Sequence, residues 1–148
     1  MSVNNDPLVT DLFETIRAKA ALNTVLTGIL GTAPLRMYRQ HAPKVASYPL
    51  VVMSRVAKNL IGGIGVNYFI NLTIYDKSVN ASNRDIIERE LQGIFDDPNC
   101  LTDFSKDNTK IDQVVFVDGG GEFWDDKNKI YIQPVPIMVK ARRKIGVV

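Results

Sequence analysis

Apolar residues at the start of the chain recur at the spacing of an α-helix. Asp6 followed by Pro7 is typical of an N-cap with proline in the first turn. Apolar side chains then return every three or four residues, at Leu8, Leu12, Phe13, Ile16 and Ala20. This pattern predicts a helix from Pro7 to about Ala21. Apolar residues continue at that period to Leu30, but Asn23 and Gly28 indicate a break or a separate short turn, so we expect this helical region to come in two pieces.

The middle of the chain indicates strands followed by a helix. Leu35–Gln40 and Leu50–Val56 each predict a strand, with a proline-bounded loop between them. From Val66 the chain alternates strictly, with Val66, Tyr68, Ile70, Leu72 and Ile74 on the face we expect to be buried. The opposite face carries Asn67, Phe69, Asn71, Thr73 and Tyr75, a mixture suited to partial exposure or to contact with a neighbouring subunit. An apolar stripe then predicts a second main helix over about Asn83–Phe95.

The last part of the chain again favours strands. Val114–Val117 is apolar, Gly119–Gly121 permits a sharp turn, and Ile130–Val139 predicts a final strand. Pro134 and Pro136 cannot donate ladder hydrogen bonds, so we expect this strand to be bulged or at an edge of the sheet. Together these elements predict an α+β fold.

Length and composition are consistent with one globular domain over residues 1–148. Hydrophobic residues make up 45% and charged residues 23% of the chain, as in ordinary folded proteins. The 18 basic residues nearly balance the 16 acidic ones, so the surface as a whole is not built to bind phosphate. Cys100 stands alone, which excludes an internal disulfide and favours a reducing cytoplasm as the site of synthesis. We expect neither secretion nor a membrane span, because no apolar run approaches about 20 residues.

The candidates for catalysis or cofactor binding are weak. His41, the single histidine, precedes Ala-Pro in a predicted loop, where a structural role is commoner than a catalytic one. Carboxylates that would have to gather a metal ion more often cap turns; they are Asp96, Asp97, Asp103, Asp107, Asp125 and Asp126. Gly62–Gly65 and Gly119–Gly121 lack the following helix of a phosphate-binding loop. We therefore expect no enzyme, no metal and no cofactor.

Two other features leave alternatives open. The basic cluster Arg142, Arg143 and Lys144 follows the last strand, and it fits either a contact with a partner or a solvated strand end. Trp124, the single tryptophan, fits either an interface anchor or burial beneath the glycine turn. The exposure of its side chain decides between the two readings.

The order of these elements resembles a known family. The helical region Pro7–Leu30 is followed by Tyr38-Arg-Gln-His-Ala-Pro43, by Tyr48-Pro-Leu-Val-Val52, by an alternating strand ending Ile74-Tyr75-Asp76, and by the helix Asn83–Phe95. In this order the chain is similar to the tail terminator, or tail completion, proteins of long-tailed bacteriophages. The resemblance covers roughly the first two thirds of the chain and rests on the succession of motifs rather than on any one of them.

That resemblance implies a mostly antiparallel sheet of about four to five strands, with two main helices packed on one face. It also implies a homo-hexameric ring in the virion that caps the head-proximal end of the tail tube, contacts the tail-tube protein and offers a docking surface to a head-side connector or stopper protein. DNA then passes through the lumen without sequence-specific binding, so we expect a neutral or acidic lumen and an Arg142 cluster that faces a protein partner. The family has no catalytic residues.

A ring of identical subunits needs two different complementary patches on each subunit. We expect the strand Val66–Tyr75 and a loop over Lys58–Gly65 to supply them. The candidate interface residues are Asn59, Leu60, Ile61, Asn67, Phe69, Trp124, Arg142, Arg143 and Lys144.

Three other readings compete with this one. Another neck component, such as a head completion or connector adaptor protein, shares the small size and the α+β content. A small enzyme with a metal or carboxylate site would use the aspartate turns and His41. A generic binding module is the third alternative.

Overall fold

The computed structural model describes residues 7–61, 65–96, 109–116 and 121–143, without the side chains of 7–9, 56–61, 109 and 143. The described residues form three helices and six strands. In order they are α1 (Pro7–Ala21), α2 (Thr24–Leu30), β1 (Met37–Arg39), β2 (Leu50–Ile61), β3 (Gly65–Asp76), α3 (Ser82–Asp96), β4 (Thr109–Phe116), β5 (Phe123–Asp125) and β6 (Ile130–Arg143). The fold is therefore α+β, as predicted, and the sheet has six strands rather than four or five.

The strands form one mostly antiparallel sheet in the order β1-β2-β3-β6-β4, with β5 paired to β6 beyond the end of β4. β1 and β2 are parallel, and every other pairing is antiparallel. The register between β3 and β6 is continuous, and Ala57, Phe69, Met138 and Val115 lie in one row across four strands.

All three helices pack on one face of this sheet. The strands contribute alternate residues to a single buried cluster, among them Met53, Tyr68, Ile70, Leu72, Ile74, Val135, Ile137 and Val139. The helices contribute Leu12, Phe13, Ile16, Ala20, Leu26, Leu30, Ile87, Leu91, Ile94 and Phe95. The predicted alternation of β3 is thus confirmed, and the helices cover one face as expected. Asn23 makes the predicted break by capping α2, where its Oδ1 accepts from the amides of Val25 and Leu26.

Two predictions about the strands are wrong. The expected loop over Lys58–Gly65 is largely strand, because β2 continues through Ile61 and pairs with β3 up to Gly65. The last strand is also longer than expected. From Ile137 it is interior, lying between β3 and β4, so the expected edge position is found only at the two prolines, where β6 pairs with β3 alone.

The two prolines are accommodated by a gap in the pairing. On the side of β6 away from β3, β5 pairs as far as Ile132 and β4 begins at Ile137, so no described strand faces Pro134 and Pro136 there. In an antiparallel strand, residues of one parity direct their backbone polar groups to the same side. Pro134 and Pro136 are two residues apart, so their backbone nitrogens point to the same side of β6. A missing N–H costs little if that side is the one with the gap.

Several predicted positions lie outside the described residues. These are Asp6, Gly62 to Ile64, Asp97, Cys100, Asp103, Asp107, Val117, Gly119, Gly120 and Lys144. Across the helices that are described, none is both long and apolar enough to cross a membrane.

Candidate interaction surface

The sheet face opposite the helices is largely neutral and partly exposed, and we call it the open face. Four rows of the β3–β6 pairing define it: Phe69 with Met138, Asn71 with Pro136, Thr73 with Pro134, and Tyr75 with Ile132. All eight residues are half-buried, and none is charged. Depletion of charge together with aromatic and methionine side chains is the composition of an interface core rather than of an average surface. Phe69, predicted as an interface residue, lies in this strip.

One end of the open face is basic. Lys110, Lys140 and Arg142 lie in the two rows at this end, and all three are exposed. Arg142 Nε donates to Asp112 Oδ1 at 3.2 Å, and both side chains are well solvated. Because such exposed pairs contribute little to stability, they remain available to a partner. Asn67 lies in the row of Lys140; its Oδ1 is buried and has no hydrogen-bond partner among the described residues.

The other predicted interface residues are placed only through their backbone. Asn59, Leu60 and Ile61 pair with Asn67, Val66 and Gly65 at the end of β2. Arg143 pairs with Thr109 at the end of β6. The sheet therefore brings these residues to the same end as Arg142, which lies eleven positions along β6 from Tyr131, the residue paired with Trp124.

Trp124 lies on a short arm formed by β5 and the start of β6. Its side chain is 43% exposed and that of Phe123 is 53% exposed, so the alternative of a buried tryptophan is wrong. The Trp124 ring contacts the Tyr131 ring with 4.5 Å between centroids, which holds it in place without covering it. Two adjacent exposed aromatic residues on a fixed hairpin are suited to anchoring a partner.

Asp125 organises the turn of this arm. Its Oδ1 accepts from the amides of Lys127 and Asn128, and its Oδ2 accepts from the Asn128 side chain at 2.8 Å. Lys129 then adopts a left-handed φ of 56° and pairs with Asp126 at 2.8 Å. Hydrogen bonds from the Asn128 side chain lower the pKa of Asp125, and the amides of Asn128 and Lys127 act in the same direction. The carboxylates of Asp125 and Asp126, which were candidate metal ligands in the sequence, therefore bond to groups within the turn.

Arg84, at the start of α3, ties the arm to the helical layer. Its Nε donates to Glu122 Oε2 at 2.6 Å, and its Nη1 donates to Asp76 Oδ2 at 3.0 Å and to the Ser78 carbonyl at 2.7 Å. The guanidinium carbon lies 4.3 Å from the centre of the Tyr131 ring. One buried side chain therefore joins α3, the end of β3, the approach to β5 and the start of β6. The sequence analysis did not identify this residue.

Charge on Arg84 is maintained despite its burial. Burial by itself lowers the pKa of this guanidinium, but hydrogen bonds and charge attraction from Glu122 and Asp76 outweigh it and raise the pKa. A signal was present in the sequence, since Arg84 precedes Ile87 by three positions and Leu91 by seven, which places it on the apolar stripe of α3.

The described candidates for catalysis and metal binding, His41, Asp96, Asp125 and Asp126, lie at exposed or half-buried positions. His41 is exposed in the loop after β1, where its amide donates to the Arg39 carbonyl. No group of three or more histidine, cysteine or acidic side chains is arranged to hold a metal among the described residues. A shallow groove of about 390 Å³ runs between α1 and α3, lined by Lys19, Leu22, Asn23, Glu90, Gly93 and Ile94. Asn23 Nδ2 donates to Glu90 Oε2 across it at 2.9 Å.

Comparison with known proteins shows a likeness in structure alone. No protein-family model matches this sequence. No curated protein matches it either. Among solved structures, the chain is similar to a chain of the virion of a native gene transfer agent particle, with a TM-score of 0.65 and 10% sequence identity. The match covers 93% of this chain and 97% of that one. The two chains therefore share a fold over nearly their whole lengths.

Proposed function

We propose that this chain is a non-enzymatic structural protein of a phage-like virion. The observation that carries the proposal is the fold likeness to a gene transfer agent virion chain, which extends over nearly the whole of both chains. The surface agrees with such a role, because the described residues present an open face whose central strip carries no charge, together with an aromatic arm.

Within the virion, we propose the role of tail terminator. Copies of the chain form a ring, with six members as the expected number, on the head-proximal end of the tail tube. A ring with one face complementary to the tube and the other face different offers no site for a further tube layer, so tube growth stops. The second face then docks the head-side connector or stopper protein. DNA passes through the lumen without base-specific contacts.

The experiment for this role uses the purified protein alone and mixed with the tail-tube protein encoded in the same genome. Light scattering after size exclusion gives the mass of the particle, and negative-stain imaging shows its shape. We expect rings, or tubes closed at one end with a defined length. A protein that does not bind the tube, forms no rings and binds no neck protein contradicts the proposal.

A head completion or connector adaptor protein is the second candidate, since the same fold likeness to a virion chain accommodates it. The partner separates the two roles. Binding to the portal-side ring, with no effect on tube length, favours the adaptor. Binding to the tube end with arrest of its growth favours the terminator.

A further inference from the structure

Apart from the three-residue strands β1 and β5, two segments at the edges of the described sheet have no strand beside them. β1 pairs with β2 only as far as Met53, so no described strand faces the outer side of β2 over Ala57–Ile61. β4 has β6 on one side, and no described strand faces its other side over Gln113–Phe116. We call these segments the β2 edge and the β4 edge. A row of open N–H and C=O groups along a strand is a template for pairing with another chain.

The two edges lie at the same level on opposite sides of the sheet. One row joins Ala57 through Phe69 and Met138 to Val115, and another joins Asn59 through Asn67 and Lys140 to Gln113. Three antiparallel pairings separate β2 from β4, so the two strands run in opposite directions. Set beside each other in two copies, they make one more antiparallel pair, which continues the alternation within each copy.

We infer that a second copy of this chain pairs its β2 edge with the β4 edge, so that one sheet continues from copy to copy. The contact is head to tail, because it joins two different edges, and head-to-tail contacts close into rings when the rotation between copies allows it. Closure leaves neither edge open, which removes the hazard that open edges carry. This inference rests on the ring proposed above and names the contact that builds it.

Local features of the two edges fit such pairing. Neither segment contains proline, so each residue keeps its backbone donor. Each edge begins beside a register shift, between Arg55 and Ala57 in β2 and between Ile111 and Gln113 in β4. Bulges of this kind increase strand twist and bend, and they are frequent at the rims of barrels. The curvature that a closed sheet needs is therefore introduced at both edges.

Disulfide trapping tests the contact. In a Cys100→Ser background, Asn59→Cys and Gln113→Cys are combined in one chain and oxidised mildly. Residues opposite each other in an antiparallel pair have Cα atoms about 4.5 to 5.5 Å apart, within the range for a disulfide. Because ring closure can shift the register, Ala57→Cys and Val115→Cys extend the panel. We expect at least one double variant to give a ladder of covalent multimers on a non-reducing gel.

Single-cysteine variants are the matched controls, and they should stay monomeric on the gel. Covalent dimers of Asn59→Cys alone would mean that two β2 edges meet, which overturns the head-to-tail contact. Thermal unfolding of each reduced variant establishes that it is folded before its gel is interpreted.

Imaging separates this inference from the proposed function. Rings without any covalent ladder across the panel overturn the edge contact and leave the ring role standing. A ladder from a protein that does not cap tubes retains the edge contact and removes the terminator role. Absence of both rings and ladder overturns both.

Discussion

The guanidinium carbon of Arg84 lies 4.3 Å from the centre of the Tyr131 ring, and the same ring contacts Trp124 on the exposed arm. Arg84 also bonds Asp76 and Glu122, so a cation that is 1% exposed holds both the end of β3 and the approach to β5. The position of the surface tryptophan is thereby linked to a buried ion pair at the start of α3.

Removing Arg84 should be costly. Arg84→Ala leaves Asp76, which is also buried, without its partner, and we expect the free energy of unfolding to fall by roughly 3 to 5 kcal/mol. Arg84→Lys should recover only part of this, because an ammonium group cannot reproduce the forked contacts. Chemical denaturation measures both. Arg89→Ala, which removes an exposed cation from the same helix, is the control, and equal losses at the two positions would refute the special role of Arg84.

Trp124→Ala should separate binding from stability. The side chain is partly exposed, so we expect a loss of about 1 kcal/mol in unfolding free energy, arising mainly from the Tyr131 contact. If Trp124 anchors a partner, its loss should weaken binding to the tube or neck protein by a factor of about 30 or more. Val79→Ala, which removes another exposed apolar side chain, should leave binding unchanged. If the unmodified protein, Trp124→Ala and Val79→Ala bind the partner with equal affinity, Trp124 is excluded from the interface.

Asp125 should make the arm sensitive to acid. Its pKa is lowered in the folded protein, so the carboxylate contributes to stability above its unfolded pKa, and that contribution disappears as the pH falls through the folded pKa. NMR titration of the Lys127 and Asn128 amides should report a pKa below that of Asp125 in the urea-unfolded chain. Asn128→Ala should move this pKa upward, since the Asn128 side chain is the main cause of the shift. An unchanged titration in that variant would contradict the assigned cause.

Truncation of two neighbouring residues of β3 should change the free energy of unfolding to very different extents. Leu72 is fully buried beneath the helices, and Leu72→Ala should cost about 2 to 5 kcal/mol through lost burial and the cavity left behind. Thr73 lies on the open face, and Thr73→Ala should change stability by about 0.5 kcal/mol at most. Denaturant titration of the isolated subunit compares them. Similar losses at both positions would mean that the open face is covered in the isolated subunit.

Asn23 should act through two separable contacts. Asn23→Ala removes the cap of α2 and the bond to Glu90, and we expect a loss of about 1 kcal/mol or more. Asn23→Asp keeps a capping oxygen but has no donor for Glu90, so it reports the second contact and the repulsion that replaces it. Glu90→Gln in the Asn23→Asp background should recover stability, as measured by thermal unfolding. A loss in Asn23→Asp that Glu90→Gln does not recover would mean that the contact with Glu90 is not its cause.

Local sequence determined much of this protein because hydrophobic periodicity depends only on near neighbours. The spacing in α1 and α3 and the alternation from Val66 to Ile74 each specify one apolar face, and burial of that face requires a partner layer. The interruption at Asn23 likewise marked the start of α2 through a cap that bonds within three residues. These features were predicted correctly.

Only the tertiary structure decided what depends on strand order and distant contacts. Pro134 and Pro136 are accommodated in an interior strand because β4 and β5 leave a gap beside them, and no local pattern reveals a gap between two other strands. Arg84 is buried because Asp76 and Glu122, far apart in sequence, converge on it and offset the cost of removing its charge from water. The β2 and β4 edges become opposite sides of one sheet only through the order β2-β3-β6-β4, which the chain reaches by long-range pairing.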